Sequence, residues 1–285
     1  MLSGRCNNDG DRPVSFGRFG RYPRSEPARV FHASSHARGA ALLFGSLALA
    51  SAASVPPALA WTEEAGRGLA IVTLSAKHLS DRYDADGRRR GGPNAGALEL
   101  APYIAYGLKP WLTGILQPRL TLGRTGGDTN LGFSDSDFGA RIRLWRSDAS
   151  VLSFQSLART PAAPTSLGQR GWGSDLRFVA GRDLQIGSLG GYAALSAGRR
   201  FFSDRPDEWR ADLALGLRPA EGWLLIGESV NLAQHGAAGW RSLVQVSVVR
   251  DVVPGWSVQA GAWTTIAGRS YPAETGGLIG LWHRF

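Results

Sequence analysis

The sequence predicts an all-β protein, an antiparallel transmembrane β-barrel of about twelve strands that follows a cleavable N-terminal signal peptide. Three observations lead to this prediction. Apolar and polar residues alternate with a period of two in one segment after another, the links between these segments are alternately short and long, and the chain ends on Phe285 within an alternating strand. We expect two regions, a basic extension plus signal peptide at residues 1–60 and an outer-membrane barrel at residues 61–285.

The first 60 residues have the composition of an export signal. Residues 1–38 contain seven Arg, an apolar run covers residues 40–53, and an Ala-Leu-Ala site ends at Ala60. A basic region, a short apolar core and a small-x-small site form a signal peptide. A transmembrane helix is the alternative, although about 20 apolar residues are needed to cross a bilayer and this run is shorter. We expect cleavage after Ala60 or near Ala52.

The region after residue 60 is basic, but its charges are dispersed. Without the seven Arg and three acidic residues of the first 60 positions, 25 basic and 20 acidic residues remain. A basic chain raises the possibility of nucleic-acid binding, but the Arg are spread one or two per segment, so we expect no nucleic-acid partner. The single cysteine, Cys6, lies in the removed region, which excludes a disulfide framework and a Cys-based metal site there. No cofactor and no metal are expected.

Twelve period-two segments follow the signal. Their length matches the roughly 9–11 residues that a tilted strand needs to cross a bilayer, and even counts are the rule in bacterial single-chain barrels. The fourth segment sets Asp137 and Arg141 opposite Phe138 and Ile142, as expected for a polar interior and a lipid-facing exterior. The ninth is less regular, because Glu228 shares its face with apolar residues, which calls for a bulge or a functional reason. Strands are predicted at 68–78, 97–106, 111–123, 137–145, 150–159, 173–182, 191–201, 208–217, 223–233, 240–250, 256–266 and 276–285.

The connections and the tryptophans are sorted as in an outer-membrane barrel. Short periplasmic turns and longer external loops alternate in such barrels, and aromatic residues form girdles at both interfaces. A secreted soluble protein is the remaining alternative, but a β-sandwich has no reason to sort its loops in this way. The tight turns are predicted at 107–110, 146–149, 218–222 and 251–255, the longer links at 79–96, 124–136, 160–172, 202–207, 234–239 and 267–275, and the girdle at Trp111, Trp172, Trp209, Trp223, Trp240 and Trp256.

The final strand carries an outward apolar and aromatic row. Such a strand closes a barrel, and its last residues resemble the tag that the barrel-insertion machinery reads, so this machinery is an expected partner. Gly280, Trp282 and Arg284 occupy the opposite face. The outward row consists of Ile279, Leu281, His283 and Phe285.

Several short motifs resemble one family of barrels. The sequence Asp81-Arg-Tyr-Asp-Ala-Asp-Gly87 and the stretch from Tyr103 to Thr113 resemble the opening turn and first hairpin of the MetA-pathway of phenol degradation family, a group of outer-membrane transporters. The segments 136–143 and 158–161 are similar to a later strand start and strand end of that family. The resemblance runs from about residue 61 to 240. It implies a barrel that passes small, hydrophobic compounds, and it brings no catalytic residues.

The expected function is a passive channel or transporter for small compounds, hydrophobic or aromatic ones included, with an unknown solute. Charged residues of both signs are predicted to face the lumen and mark the candidate pathway. Two interpretations stay open: interleaved ion pairs that fill a narrow barrel and hold it rigid, or an Arg-lined path that prefers anions or polar aromatics. The set comprises Glu99, Arg119, Arg141, Arg143, Asp175, Arg177, Arg210 and Asp212.

We expect no enzyme, with one alternative kept open. His78 and Ser80 lie two apart on one strand face and resemble the pair of an outer-membrane lipid-modifying hydrolase, although a polar strand end explains them equally simply. A structural barrel without transport is a further alternative. The run Arg88–Arg90 either pairs with lipopolysaccharide phosphates or is a solvated loop charge, so the outer membrane and its lipopolysaccharide are expected partners. We interpret Asp84–Gly87 as a turn rather than a calcium loop.

Overall fold

The computed structural model describes residues 60–167, 170–236 and 239–285. Within these ranges the chain forms strand segments and a single 3-10 turn at Thr165–Leu167. No helix of the described residues is long and apolar enough to cross a membrane. The strand segments are β1 (Gly68–Tyr83), β2 (Arg89–Lys109), β3 (Leu112–Gln117), β4 (Leu120–Thr125), β5 (Asp128–Phe133), β6 (Asp137–Arg146), β7 (Ser150–Arg159), β8 (Gly173–Ile186), β9 (Leu189–Phe202), β10 (Glu208–Arg218), β11 (Trp223–Gln234), β12 (Trp240–Val253), β13 (Trp256–Arg269) and β14 (Tyr271–Arg284).

These segments make twelve barrel strands, because two strands are each interrupted once. β3 and β4 both pair with β2 and are separated at Pro118, which has no N–H to donate to a ladder. The next barrel strand is divided into β5 and β6 by residues 134–136. This interruption lies opposite the one at residues 118–119 and is one residue longer. β1 pairs with both β2 and β14, so the sheet closes on itself. The predicted antiparallel barrel of twelve strands is confirmed.

The seam of the barrel joins the first and last strands. The N–H of Gly68 donates to the carbonyl oxygen of Phe285 at 2.7 Å, and the N–H of Phe285 donates to the carbonyl oxygen of Gly68 at 3.0 Å. The ring of Phe285 lies against Gly68, so that a Cβ at position 68 would stand 2.4 Å from Cζ of Phe285 and would displace that ring. Ile279 and Leu281 are exposed on the outer face of β14, and His283 stacks on Phe285 with ring centroids 5.7 Å apart.

The connections lie at two ends of the barrel, which we call the turn end and the loop end. The turn end holds the β2–β3, β6–β7, β8–β9, β10–β11 and β12–β13 connections together with Gly68 and Phe285, and the loop end holds the others. The tight turns fall where they were predicted. Three predicted longer links are mostly strand, however, because the ladders of β1–β2 and β4–β5 continue through two of them, while in the third residues 267–269 pair with β12 and residues 271–273 pair with β1. These arms are rich in Gly and charged residues and lack the apolar alternation by which strands were predicted.

Large apolar side chains cover the outer face of the barrel. Phe178, Leu195 and Leu213, for example, are all about half exposed on neighbouring strands. A continuous apolar exterior of this kind is stable against hydrocarbon and not against water. Aromatic residues ring both borders of this band. The outward tryptophans are Trp111, Trp145, Trp223 and Trp256 at the turn end and Trp172, Trp209 and Trp240 at the loop end, whereas Trp61, Trp263 and Trp282 point inward.

The ninth barrel strand, β11, departs from the expected pattern of a wholly polar inner face. Ile226 and Glu228 are both buried and face the lumen together with the half-buried Leu224. No bulge interrupts the pairing of β11 with β10 or β12. The irregularity therefore arises because part of the lumen is apolar, and Leu224 and Ile226 belong to that part.

Candidate functional site: the barrel lumen

The pleat of the strands decides which side chains line the lumen. Along β8, Asp175, Arg177 and Val179 are buried inside the barrel, while Leu176 and Phe178 alternate with them on the outer side. The same alternation in the other strands brings charged residues from many strands into one interior. In that interior each charge needs a partner, because an isolated buried charge is costly.

One group of charges centres on Asp137, at the start of β6. Its Oδ1 accepts a hydrogen bond from Nε of Arg159 at 2.7 Å, and its Oδ2 accepts from Nη2 of Arg119 at 3.0 Å. Arg119 also lies 4.0 Å from Glu99, measured from Nε to Oε1, and Glu99 lies 4.0 Å from Nζ of Lys77. Five charged residues from five strand segments or their junctions thus form one connected chain.

A second group centres on Asp175 and Asp212. Nε of Arg177 donates to Asp175 at 2.9 Å, and Nη1 of Arg177 reaches Asp212 at 3.3 Å. Arg200 approaches Asp175 at 3.1 Å, and Arg210 approaches Asp212 at 2.6 Å. All four acid–base contacts are formed by side chains that are at most 10 % exposed.

We call these two groups, with the neighbouring pairs, the ionic layer. It occupies the loop-end part of the lumen and includes six of the eight predicted lumen residues. The prediction missed several of their partners. Arg159 shares its face with Val151 and Leu157, so the alternation marks that row as mixed rather than charged. The ionic layer comprises Lys77, Glu99, Arg119, Asp137, Arg159, Asp175, Arg177, Arg200, Glu208, Arg210, Asp212, Arg241 and Glu274.

The other two predicted lumen residues lie apart from this layer. Arg141 is fully buried nearer the turn end, where Nη2 donates to Oε1 of Gln155 at 2.8 Å and, at 3.4 Å, to the hydroxyl of Tyr103. Arg143 is half-buried two residues further along β6. Arg141 therefore serves a different neighbourhood from that of the ionic layer.

That neighbourhood contains a segment of chain that precedes β1. We call residues 60–67 the strap. The carbonyl oxygen of Ala60 accepts a hydrogen bond from Oγ of Ser153 at 2.6 Å, and the carbonyl oxygen of Trp61 accepts from Nη1 of Arg141 at 2.9 Å. The N–H of Glu63 donates to Oγ1 of Thr113 at 2.8 Å. The strap thus enters the lumen at the turn end and is held there by lumen side chains.

The strap also packs against apolar groups. The ring of Trp61 meets that of Tyr192 edge to face, with centroids 6.2 Å apart. Gly181 makes room for it, since a Cβ at that position would stand 2.5 Å from Cβ of Ala60. We call the surrounding wall the apolar layer. It consists of Leu69, Ile71, Tyr103, Ala105, Ile115, Val151, Leu157, Val179, Tyr192, Ala194, Ala214, Leu224, Ile226, Val249 and Trp282.

One strap carboxyl has an altered acidity. Burial raises the pKa of Glu63, and the positive charges of Arg141 and Arg284 act in the opposite direction without cancelling the effect. A raised pKa means that the strap in its lumen position favours the protonated carboxyl. The seating of the strap is therefore coupled to proton binding.

The candidate hydrolase pair does not form a catalytic arrangement within the described chain. His78 and Ser80 are exposed on the outer face of β1, and neither side chain has a hydrogen bond to a described residue. Nucleophilic catalysis would need a nucleophile bonded to a base that is itself oriented by a third group. His235 lies in a loop-end connection, and His283 stacks on Trp256 at 4.0 Å.

The Asp84–Gly87 segment is a turn. Oδ1 of Asp84 accepts hydrogen bonds from the N–H groups of Asp86 and Arg88, at 3.0 and 2.8 Å. These bonds lower the pKa of Asp84 and occupy an oxygen that a cation would use. Within the described ranges, no group of three or more His, Cys, Asp or Glu is placed to hold a metal ion.

No family model matches the chain, and no curated protein matches its sequence. Among solved structures the chain is similar to the COG4313 outer membrane channel from Pseudomonas putida F1, with 16% identity and a TM-score of 0.63 over 81% of this chain and 100% of that one. It is also similar to the NanC porin, with 8% identity and a TM-score of 0.51 over 74% of this chain and 98% of that one. These likenesses establish a shared barrel fold, and no residue role is transferred from them.

Proposed function

We propose that the chain is exported to the outer membrane and acts there as a narrow passive channel for small compounds, hydrophobic or aromatic ones included. The observation that carries the proposal is the way in which the turn end is closed. A short segment outside the strands enters it, held by side-chain hydrogen bonds, one aromatic contact and backbone hydrogen bonds that join Gly66 and Arg67 to Gly107. Such a segment can leave without disturbing the strand ladders, whereas a purely structural barrel has no need of a removable closure.

The proposed location rests on the exterior. An apolar band between two aromatic rings suits a bilayer, and the solved barrels of similar fold are an outer membrane channel and a porin. Export requires that residues 1–60 act as a signal, with cleavage after Ala60 or near Ala52; residues 1–59 lie outside the described residues. Cleavage near Ala52 keeps the contacts of Ala60, whereas cleavage after Ala60 leaves a strap that begins at Trp61 and is held through Arg141, Thr113 and Tyr192. Insertion requires that the barrel-insertion machinery recognise the terminal strand that ends at Phe285. Lipopolysaccharide then surrounds the loop end.

The proposed class of solute is inferred from the side chains that line the lumen. Behind the ionic layer, a solute meets an apolar layer that contains the rings of Tyr103, Tyr192 and Trp282. Aromatic walls favour apolar and aromatic molecules over strongly hydrated ones. The paired charges of the ionic layer support the interpretation that they fill and stiffen the barrel, rather than forming an Arg-lined anion path. The resemblance to the MetA-pathway of phenol degradation family points to the same class of solute, and membership in that family is part of the proposal.

Removing the strap tests the channel proposal directly. A variant that lacks residues 61–66 should conduct several times more current than the intact barrel in planar bilayers, because the turn end is opened while every strand remains. Lys109→Gln is the control: it alters an exposed side chain at the turn end outside the strap and should change conductance little. Both proteins must first show heat-modifiable gel migration, which reports a folded barrel.

Two results would contradict the proposal. If the folded deletion variant conducts no better than the intact protein, the barrel is structural. If the intact protein releases fatty acids from phospholipid and Ser80→Ala abolishes this release, the hydrolase alternative replaces the channel.

A further inference from the structure

Two arginines face each other on the outside of the barrel near the loop end. Arg82 on β1 and Arg90 on β2 are direct partners in the antiparallel register, and both are exposed. Directly opposed residues of an antiparallel pair have Cβ atoms about 4.5–5.5 Å apart, and like charges in such positions repel each other. The hairpin therefore places two positively charged side chains side by side, and an anion bound between them would reduce their mutual repulsion.

The acidic residues of the same hairpin neutralise only part of this pair, because Asp84 binds Arg90 through its Nε and neither Asp81 nor Asp84 is paired with Arg82. Asp81 is engaged by Arg89, at 2.8 Å between Oδ2 and Nε, and Asp84 is engaged by Nε of Arg90 at 3.1 Å. The Arg82 side chain has no hydrogen bond or ion pair with any residue of the described ranges. A planar guanidinium beside another one forms a fork that suits the oxygens of a phosphate group.

The pair lies at the level of the loop-end aromatic ring. The neighbouring residue, Tyr83, lies beside Gly268, where an added Cβ would stand 2.9 Å from Cδ2 of Tyr83 and 3.1 Å from the carbonyl oxygen of Trp240. Trp240 is one of the outward tryptophans that mark the upper border of the apolar band. Along the outer face of β1 the residues change from Leu74 through polar residues to Arg82. Arg82 and Arg90 thus stand just above the hydrocarbon, where lipid headgroup phosphates lie.

We propose that Arg82 and Arg90 form a binding site for a phosphate group of lipid A in the outer leaflet. This assignment rests on the proposed outer-membrane location, and it is independent of whether the lumen conducts. It differs from a general attraction of the run Arg88–Arg90 to lipopolysaccharide. In the proposed site the cross-strand partner Arg82 contributes half of the contacts, and Arg89, in register with the buried Tyr83, lies on the other face of β2 and is bound by Asp81.

The test measures binding of lipid A to the full barrel in nanodiscs by native mass spectrometry. The probes are bisphosphorylated lipid A, the same lipid after dephosphorylation, and inorganic phosphate. The double variant Arg82→Gln/Arg90→Gln should bind bisphosphorylated lipid A about tenfold more weakly, as expected for the loss of two charge-assisted contacts. The matched control Lys109→Gln/Arg146→Gln removes two exposed charges at the turn end and should bind like the unaltered protein.

Three outcomes would overturn the assignment. The first is equal binding of phosphorylated and dephosphorylated lipid by the unaltered barrel. The second is an equal loss of binding in the control variant, which would indicate a nonspecific charge effect. The third is inorganic phosphate binding as tightly as lipid A, which would make this a site for free phosphate. Absence of conductance in every variant would count against the channel alone and leave the lipid binding result interpretable.

Discussion

The two layers of the lumen are filled by opposite means. In the ionic layer, strand side chains from around the barrel bind one another, both between strands and, for Arg177 with Asp175 and Arg210 with Asp212, within one strand. In the apolar layer, the strand side chains leave room at Gly181 and Ser153 and a separate segment, the strap, enters the space. The charged side chains of the ionic layer belong to the strands of the barrel wall, whereas the strap is a separate segment that lies inside the wall.

Because of this difference, we expect changes in the ionic layer to alter the stability of the barrel and changes in the strap to alter its conductance. Removing one partner of a buried ion pair leaves the other charge uncompensated, so changes in the ionic layer act on the folded barrel as a whole. Under the proposed function, changes in the strap act instead on an equilibrium between a seated and a released position of a few residues. Variants of the two layers should therefore move different measurements.

The largest effect is expected in the ionic layer at Asp175, which binds both Arg177 and Arg200. Asp175→Asn should lower the free energy of unfolding by about 3–5 kcal/mol, because two buried guanidinium groups lose a charged partner. Denaturant titration followed by heat-modifiable migration measures this change. Asp183→Asn, an exposed site on the same strand, is the control and should be neutral. Equal stabilities of the two variants would show that water in the lumen compensates the charges.

A smaller effect is expected in the strap at Trp61. Trp61→Ala removes the edge-to-face contact with Tyr192 and should raise conductance about two- to tenfold, given the usual strength of one aromatic contact. The free energy of unfolding should hardly change. Trp145→Ala, which removes an outward tryptophan at the turn end, should leave the conductance as it is. A loss of stability without a gain in conductance would mean that the strap belongs to the wall.

The smallest effect concerns pH. Because the pKa of Glu63 is raised with the strap in the lumen, closure is most stable below the pKa of the free carboxyl and weakens as pH rises through the raised value. Conductance should therefore be lower at about pH 3 than at about pH 7, on either side of the usual range for glutamate. Current recorded across this range measures the dependence. Glu63→Gln should flatten it, and an unchanged profile in that variant would assign the titration to another group.

Much of the fold could be predicted from the sequence because each strand lies between two different environments, the lipid outside and the polar lumen inside. Lipid on one side and charge on the other impose a period of two, which located all twelve strands and the inner positions of Asp175, Arg177 and Asp212. The pattern did not reveal the break at Pro118, because a missing N–H leaves the alternation of side chains almost unchanged. It also failed for the arms of β1 and β2, where no lipid imposes apolar residues.

The position of the strap was not predictable for a related reason. A segment without regular structure carries no periodicity, so nothing in residues 60–67 states that they lie within the lumen. The sequence signal that could have predicted its position lies in the strands that surround the strap. Gly181 and the inward Leu224 and Ile226 break the expected polar pattern at the level where the strap packs. An apolar inner face within a polar lumen indicates that something covers it.

The seam between Gly68 and Phe285 also has a consequence for biosynthesis. β1 is the first strand to be synthesised, and one of its two partners, β14, is the last. The barrel can therefore close only through the pairing of the two strands that are farthest apart in the sequence. A truncated product that lacks β14 would leave β1 and β13 with open ladders, and unpaired backbone groups are not tolerated in hydrocarbon. A stable barrel in the membrane therefore requires that β14 has been synthesised and has paired with β1.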